Sequence, residues 1–185
     1  MGLVIDESDN AGMGAAAFPD LLTVDDFLRR PERDDGFFEE LIDGEVIELP
    51  SVTKRHSDIA KHLYDSLLPL DREGFVVQGE VACRLSDRSL PNTDVCVIRR
   101  ERWDAVADDD FLRESPALAV EVHSPSNRRL RRKAELYLEH GAEQVWLVYP
   151  KTGTILVLTQ DGDREVRPSE SIEFHGLRIP LSKIF

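Results

Sequence analysis

The chain has little cysteine, no long apolar run and fewer basic than acidic residues, and each scarcity removes a class of protein. Two cysteines in 185 residues, Cys83 and Cys96, cannot build a disulfide framework, and they lack the paired spacing of a zinc site. Both stand in strand-like surroundings and are expected to be buried free thiols. No apolar stretch approaches the roughly 20 residues that span a bilayer. The N-terminus opens on Asp6, Glu7 and Asp9 and then on the small residues between Gly12 and Ala17, without the basic start and apolar core of a secretory signal. A cytoplasmic protein with no membrane insertion is expected. Lysine and arginine total 23 against 36 aspartates and glutamates, a formal net charge of −13. A field of that sign opposes broad adhesion to nucleic-acid phosphates, although it leaves room for a local site.

What is present suits one α/β domain. The length allows one well-buried core and is short for two, so residues 20–185 are expected to form a single domain behind a disordered tail of residues 1–19, which have no periodicity. Thr23-Val24-Asp25-Asp26 reads as a helix start. Phe37–Ile42, Asp43-Gly44 and Glu45–Leu49 read as strand, two-residue turn and strand, an N-terminal β-hairpin. Apolar residues at Ile59, Ala60, Leu63, Tyr64, Leu67 and Leu68 recur at helical spacing, so an amphipathic helix is expected over about 53–68. Strands are expected within 75–85, at 94–98, 117–123, 144–149 and 154–158, with a weaker one near Glu165. A helix over 127–140 ends at Gly141. Strand, helix and strand over 117–149 make a parallel βαβ unit. The C-terminal segment 177–185 is expected on the sheet edge.

The chemistry is concentrated where a carboxylate interrupts a buried strand. Leu118, Ala119, Val120 and Val122 are apolar on both faces of a period-two pattern, as in a strand covered on both sides. Glu121 lies among them, and an ionised carboxylate there costs several kcal/mol unless a cation, a hydrogen-bond donor or a metal meets it. Asp94 opens a neighbouring apolar strand, and Lys133 sits on the helix that follows Glu121. Two carboxylates on adjacent strands can hold Mg²⁺ or Mn²⁺, with phosphate oxygens and waters completing the shell. A lysine ammonium beside them could orient the attacking water or stabilise charge on a phosphodiester. His123, two residues after Glu121, shares its strand face. Arg128, Arg129, Arg131, Arg132 and Lys133 form the densest basic cluster in the chain; it reads equally as a solvated helix face or as a nucleic-acid contact.

These residues resemble the PD-(D/E)XK nuclease superfamily and, within it, the Uma-two family of restriction-endonuclease-like bacterial proteins. The resemblance covers about residues 20–185. It is carried by Glu40-Leu41-Ile42-Asp43-Gly44-Glu45, by His56 at the start of the long helix and by Pro91–Ile98 with Asp94. Glu121-Val122-His123-Ser124-Pro125-Ser126, Lys133-Ala134-Glu135-Leu136-Tyr137 and Glu143–Val148 continue it. It implies a mixed central β-sheet flanked by helices, in which Asp94 and Glu121 are ligands of Mg²⁺ or Mn²⁺. It further implies Glu40 as an additional carboxylate, Lys133 as the catalytic lysine and DNA as the substrate. The superfamily's commonest pattern has its lysine two residues after the glutamate, where this chain has His123. In the Uma-two branch the lysine stands on the following helix, as Lys133 does.

Other readings remain open on the sequence. Glu121 could pair with an arginine of the basic cluster, and Lys133 could be an exposed helix lysine. Asp94 could cap a turn. Of Glu39 and Glu40 only one can point inward. His56 and His123 read equally as site contacts or as ordinary surface and strand residues. The expected function is a metal-dependent phosphodiester hydrolase acting on DNA. The alternative is a nuclease-fold module, catalytically weak or inactive, that binds nucleic acid or a protein partner. A homodimer through strand edges is compatible with either.

Overall fold

The structure is a computed structural model that describes residues 21–31, 37–49, 51–124 and 129–185. The expected tail at 1–19 and Arg128 lie outside these. The first helix, α1 (Val24–Leu28), is capped by Thr23, whose hydroxyl accepts from the Asp26 amide at 3.1 Å. Strands β1 (Phe38–Ile42) and β2 (Glu45–Leu49) form the expected hairpin, with Ile42 opposite Glu45. Its turn residues Asp43 and Gly44 have φ of +52° and +84°. That left-handed pair suits the right-handed twist of the flanking strands and explains an Asp-Gly turn. A side chain at position 44 would also strike the Leu21 Cβ at 2.8 Å.

The long helix α2 (Lys54–Leu67) is capped by Thr53 and followed by a 3₁₀ turn over Leu68–Arg72. Then come β3 (Phe75–Ala82), β4 (Asn92–Arg99), the single-turn α3 (Arg100–Trp103), β5 (Leu118–Val122) and α4 (Leu130–Glu139). The chain closes with β6 (Gln144–Tyr149), β7 (Thr154–Thr159), β8 (Gly162–Val166), β9 (Ser171–Phe174) and β10 (Leu177–Pro180). Strands β3 to β8 form one sheet in sequence order. Within it β5 and β6 run parallel, joined by α4, and the other neighbours are antiparallel. This is the expected mixed sheet. Gly141 ends α4 with φ +98°.

Alternation along the strands divides the core into two layers. Val95, Val97, Leu118, Val120 and Trp146 face α2. Cys96, Ile98, Ala119, Val145 and Leu147 face α4, packing on Ala134 and Tyr137. The C-terminal segment departs from expectation. β9 and β10 make a hairpin of their own, and Phe174, Ile179, Leu181 and Ile184 join the α2-side core. Phe174 meets the Trp146 ring edge-on at 6.4 Å. The segment carries enough alternating apolar residues to cover a sheet face, which buries far more than an edge position would. Both cysteines are buried and free; burial pushes the Cys96 thiol up to about 12, where it is unreactive at neutral pH.

The sheet opens at one place. The β4–β5 pairing stops at Val95 opposite Val120, one residue short of the position where the same register would set Asp94 against Glu121. On the other side, the β3–β4 register passes from Gly79–Val95 to Val81–Thr93, skipping Glu80, whose φ is +55°. Asp94 therefore lies in a gap of both ladders.

Candidate active site

In that gap a side chain replaces a backbone acceptor. Asp94 Oδ2 accepts the Val122 amide at 2.6 Å, closing the wedge between β4 and β5. Asp94 is thus the third residue of its strand and bonds to the neighbouring strand, not to turn amides. Its other oxygen, Oδ1, lies 3.2 Å from His56 Nε2, which α2 delivers from its first turn. His56 is therefore brought into the site, and its Nδ1 is buried without a partner among the described residues.

Glu121 projects from the same sheet face as Ala119 toward α4, and its partner there is a lysine. Lys133 Nζ donates to Glu121 Oε2 at 2.9 Å, to Glu40 Oε1 at 2.7 Å and to the Asn92 carbonyl at 2.6 Å. Glu121, Lys133 and Glu40 are 2%, 3% and 3% exposed, so this is a fully desolvated charge cluster. The reason lies in α4: Leu130, Lys133, Ala134 and Tyr137 recur at i, i+3, i+4 and i+7 and form the buried stripe. Lys133 occupies a core position of that stripe, while its arginine neighbours turn away. Strand alternation likewise decides between the two glutamates of β1: Glu40 is buried and Glu39 is only half-buried.

The electrostatics follow from this packing. Burial pushes the Glu121 carboxyl well above the usual range; Lys133 opposes the rise, and Asp94 and Glu40 add to it. Burial disfavours the Lys133 ammonium, but Glu121, Glu40 and Asp94 together outweigh it and hold the lysine protonated above its ordinary value. Three carboxylates and one ammonium leave an excess of negative charge. Glu121 Oε1 is buried and has no hydrogen-bond partner among the described residues. The Tyr137 hydroxyl likewise makes no well-aligned hydrogen bond but lies against Glu121; burial, the Glu121 charge and this contact raise its pKa.

The arginines brace the cluster. Arg132 makes a two-pronged contact with Asp43, at 2.7 and 3.1 Å, and also bonds Glu139 at 2.7 Å. Arg129 pairs with Glu45, and Arg131 with Asp163 and Glu135. Arg129 and Arg132 thereby fasten the β1–β2 hairpin, and with it Glu40, onto α4. The hydrogen bond from Arg132 holds the Asp43 carboxyl below the usual range. A carboxyl lowered in the folded state contributes stability above its unfolded pKa and loses it as the pH falls through the folded value. Asparagine tolerates the left-handed turn, so Asp43→Asn removes the charge and keeps the backbone. We expect it to cost about 0.5–1 kcal/mol at neutral pH, read from urea midpoints. The gap from wild type should close on acidification below about pH 4; a gap that persists there would rule out the ion pair as its cause.

A cavity of about 550 Å³ opens over these groups. Glu40, Asp94, Glu121 and Lys133 line it together with His56 and His123, so six of the sequence-derived site residues converge. The His123 backbone amide donates a hydrogen bond to the Val148 carbonyl at 2.8 Å, and its ring lies 5.3 Å from that of Tyr149. Sequence reasoning did not single out the Asn92 carbonyl or the Val122 amide, because backbone groups carry no residue signature. It also passed over Arg55, Tyr149 and Lys151 on the cavity wall. Among the described residues no group of three or more His, Cys, Asp or Glu side chains encloses a metal position, because Lys133 stands between Glu40 and Glu121.

The family model Uma2, described as "Putative restriction endonuclease", matches residues 24–183. A crystal structure described as that of a "putative nuclease belonging to DUF820" from Anabaena variabilis superposes with a TM-score of 0.76 at 21% identity, covering 89% of this chain and 97% of that one. None of the curated proteins matches the chain. No helix among the described residues is long and apolar enough to cross a membrane.

Proposed function

Because the chain belongs to the Uma2 family, described as "Putative restriction endonuclease", we propose that it is a divalent-metal-dependent phosphodiester hydrolase acting on DNA. The observation that carries this reading is the orphaned Glu121 Oε1 beside Asp94 on the floor of the cavity. A buried carboxylate oxygen that has only the poorly aligned Tyr137 hydroxyl against it, in a cluster already rich in negative charge, is costly unless a cation completes it. The donors are hard oxygens, which suit Mg²⁺ or Mn²⁺. Mg²⁺ in particular keeps several waters and takes one or two protein carboxylates, so Asp94 and Glu121 would suffice to hold it. Bound there, the ion would lower the pKa of a water and offset charge on the phosphate.

The remaining residues supply position and charge. Lys133, fixed by Glu40 and the Asn92 carbonyl, presents an ammonium that stabilises the charge growing on the phosphoryl oxygens during water attack at phosphorus. His56 and the Val122 amide each hold one oxygen of Asp94 and so orient it. Arg129 and Arg132, paired to Glu45 and Asp43, contribute by bracing the hairpin, and Arg131, paired to Asp163, ties α4 to β8.

The test is cleavage of a mixture of single-stranded and duplex DNA with Mg²⁺ or Mn²⁺, by wild type and by Asp94→Asn, which can still accept the Val122 amide. Metal-stimulated cleavage should fall at least about a hundredfold in the variant. Equal cleavage by both proteins would remove Asp94 from the reaction. DNA binding without cleavage by wild type would assign the chain to the noncatalytic binding alternative.

A further inference from the structure

We propose that the DNA enters this site as an unpaired strand, with one of its bases stacked on Phe38. The inference rests on the hydrolytic reading above and names its substrate class.

Depth is the first observation. Glu121, Lys133 and Glu40 are at most 3% exposed, so a phosphate reaches them only by descending into the recess. A cavity of about 550 Å³ is the size that takes one small organic molecule, about 300–1,000 Å³. A nucleotide released from its pair fits that class; a duplex, whose major groove alone is about 12 Å wide, stays outside.

The walls are the second. Leu49, Val52, Tyr149 and Pro150 give the cavity a mainly apolar side, which suits base faces that a duplex keeps stacked away. Arg55, whose guanidinium donates to the Pro150 carbonyl at 2.8 Å, and Lys151 supply cations on the same wall. With a net charge of −13 over the whole chain, the protein can neutralise few phosphates, in keeping with a short strand instead of a duplex track.

Phe38 is the third. It is 71% exposed, a large aromatic surface left in water. Strand alternation puts Phe38 on the hairpin face of Glu40, and the register sets it directly opposite Leu49. Glu40 and Leu49 both line the cavity, so Phe38 continues that face one step farther from the carboxylates. An aromatic ring in such a place offers a stacking platform to bases whose faces are free.

The test uses a fluorescent DNA strand of about ten nucleotides, alone and as a blunt duplex, with an RNA strand of the same sequence as a further arm. Binding is followed by anisotropy and cleavage is scored separately, with the full chain, Phe38→Ala and Phe38→Tyr. The DNA strand should bind at least about tenfold more tightly than the duplex. Phe38→Ala should weaken strand binding about tenfold, with tyrosine restoring it, and thermal melting should show both variants folded. Duplex binding as tight as strand binding, unchanged strand binding in Phe38→Ala, or a preference for the RNA strand would overturn the proposal. So would a variant whose sole change is lost self-association, which would make Phe38 a contact between copies of this chain. Strand-selective, Phe38-dependent binding with no cleavage of any probe would sustain this inference while the hydrolytic reading failed.

Discussion

Replacing Lys133 with methionine is expected to destabilise the metal-free protein by about 3–5 kcal/mol and to abolish DNA cleavage. Methionine is long and apolar, so the change leaves little void; what it removes is the cation shared by Glu121 and Glu40 at 2.9 and 2.7 Å. Those carboxylates would then face each other nearly unsolvated, and the Asn92 carbonyl would lose its donor as well. Urea unfolding of wild type and variant measures the cost. Adding Glu40→Gln to Lys133→Met should recover part of it, since contacting residues couple. A midpoint unmoved by Lys133→Met would show that the ammonium is not the partner of these carboxylates, and the site described above would have to be redrawn.

Glu121→Gln separates stability from chemistry in the opposite direction. We expect it to eliminate Mg²⁺ and Mn²⁺ binding in calorimetry and to lower cleavage by about a thousandfold, with metal-free stability unchanged or slightly raised. The reason is the direction of the electrostatics. Burial already disfavours the ionised Glu121 carboxyl, only partly relieved by Lys133, so a neutral isostere removes an unfavourable charge. Lys133 keeps Glu40 and the Asn92 carbonyl. A metal-induced rise in melting temperature equal in wild type and variant would place the ion elsewhere. A large loss of metal-free stability would make Glu121 a structural ion-pair residue first.

Several features of the site were legible before any coordinates. The Glu121 strand announced a buried carboxylate in need of a partner, and the Asp-Gly turn announced the hairpin that carries Glu40. Lys133 was a candidate from its place on the helix after Glu121 and from the family resemblance, with an exposed helix lysine left open; the structure puts it on the buried stripe of Leu130, Ala134 and Tyr137. What periodicity left open was which cation would meet Glu121, an arginine of the cluster or this lysine. Helical phase decides it, turning Arg131 and Arg132 toward Asp163, Asp43 and Glu139. Strand phase decides between Glu39 and Glu40 in the same way.

The sequence by itself determined the N-terminal hairpin, the long helix, the parallel βαβ unit and a buried carboxylate at Glu121 in need of a partner, and its family resemblance added the mixed sheet, Glu40 and the role of Lys133. The first group follows from local patterns of period two and 3.6 and from the cost of burying charge. Tertiary structure alone decided the rest: the wedge between β4 and β5 where Asp94 takes the Val122 amide, the Asn92 carbonyl under Lys133, and the placement of the C-terminal hairpin over a sheet face. It also placed the hairpin face of Phe38, Glu40 and Leu49 beside a cavity. Backbone donors and acceptors are the same at nearly every residue, and contacts between distant segments depend on how whole elements pack, so no local pattern could have announced them.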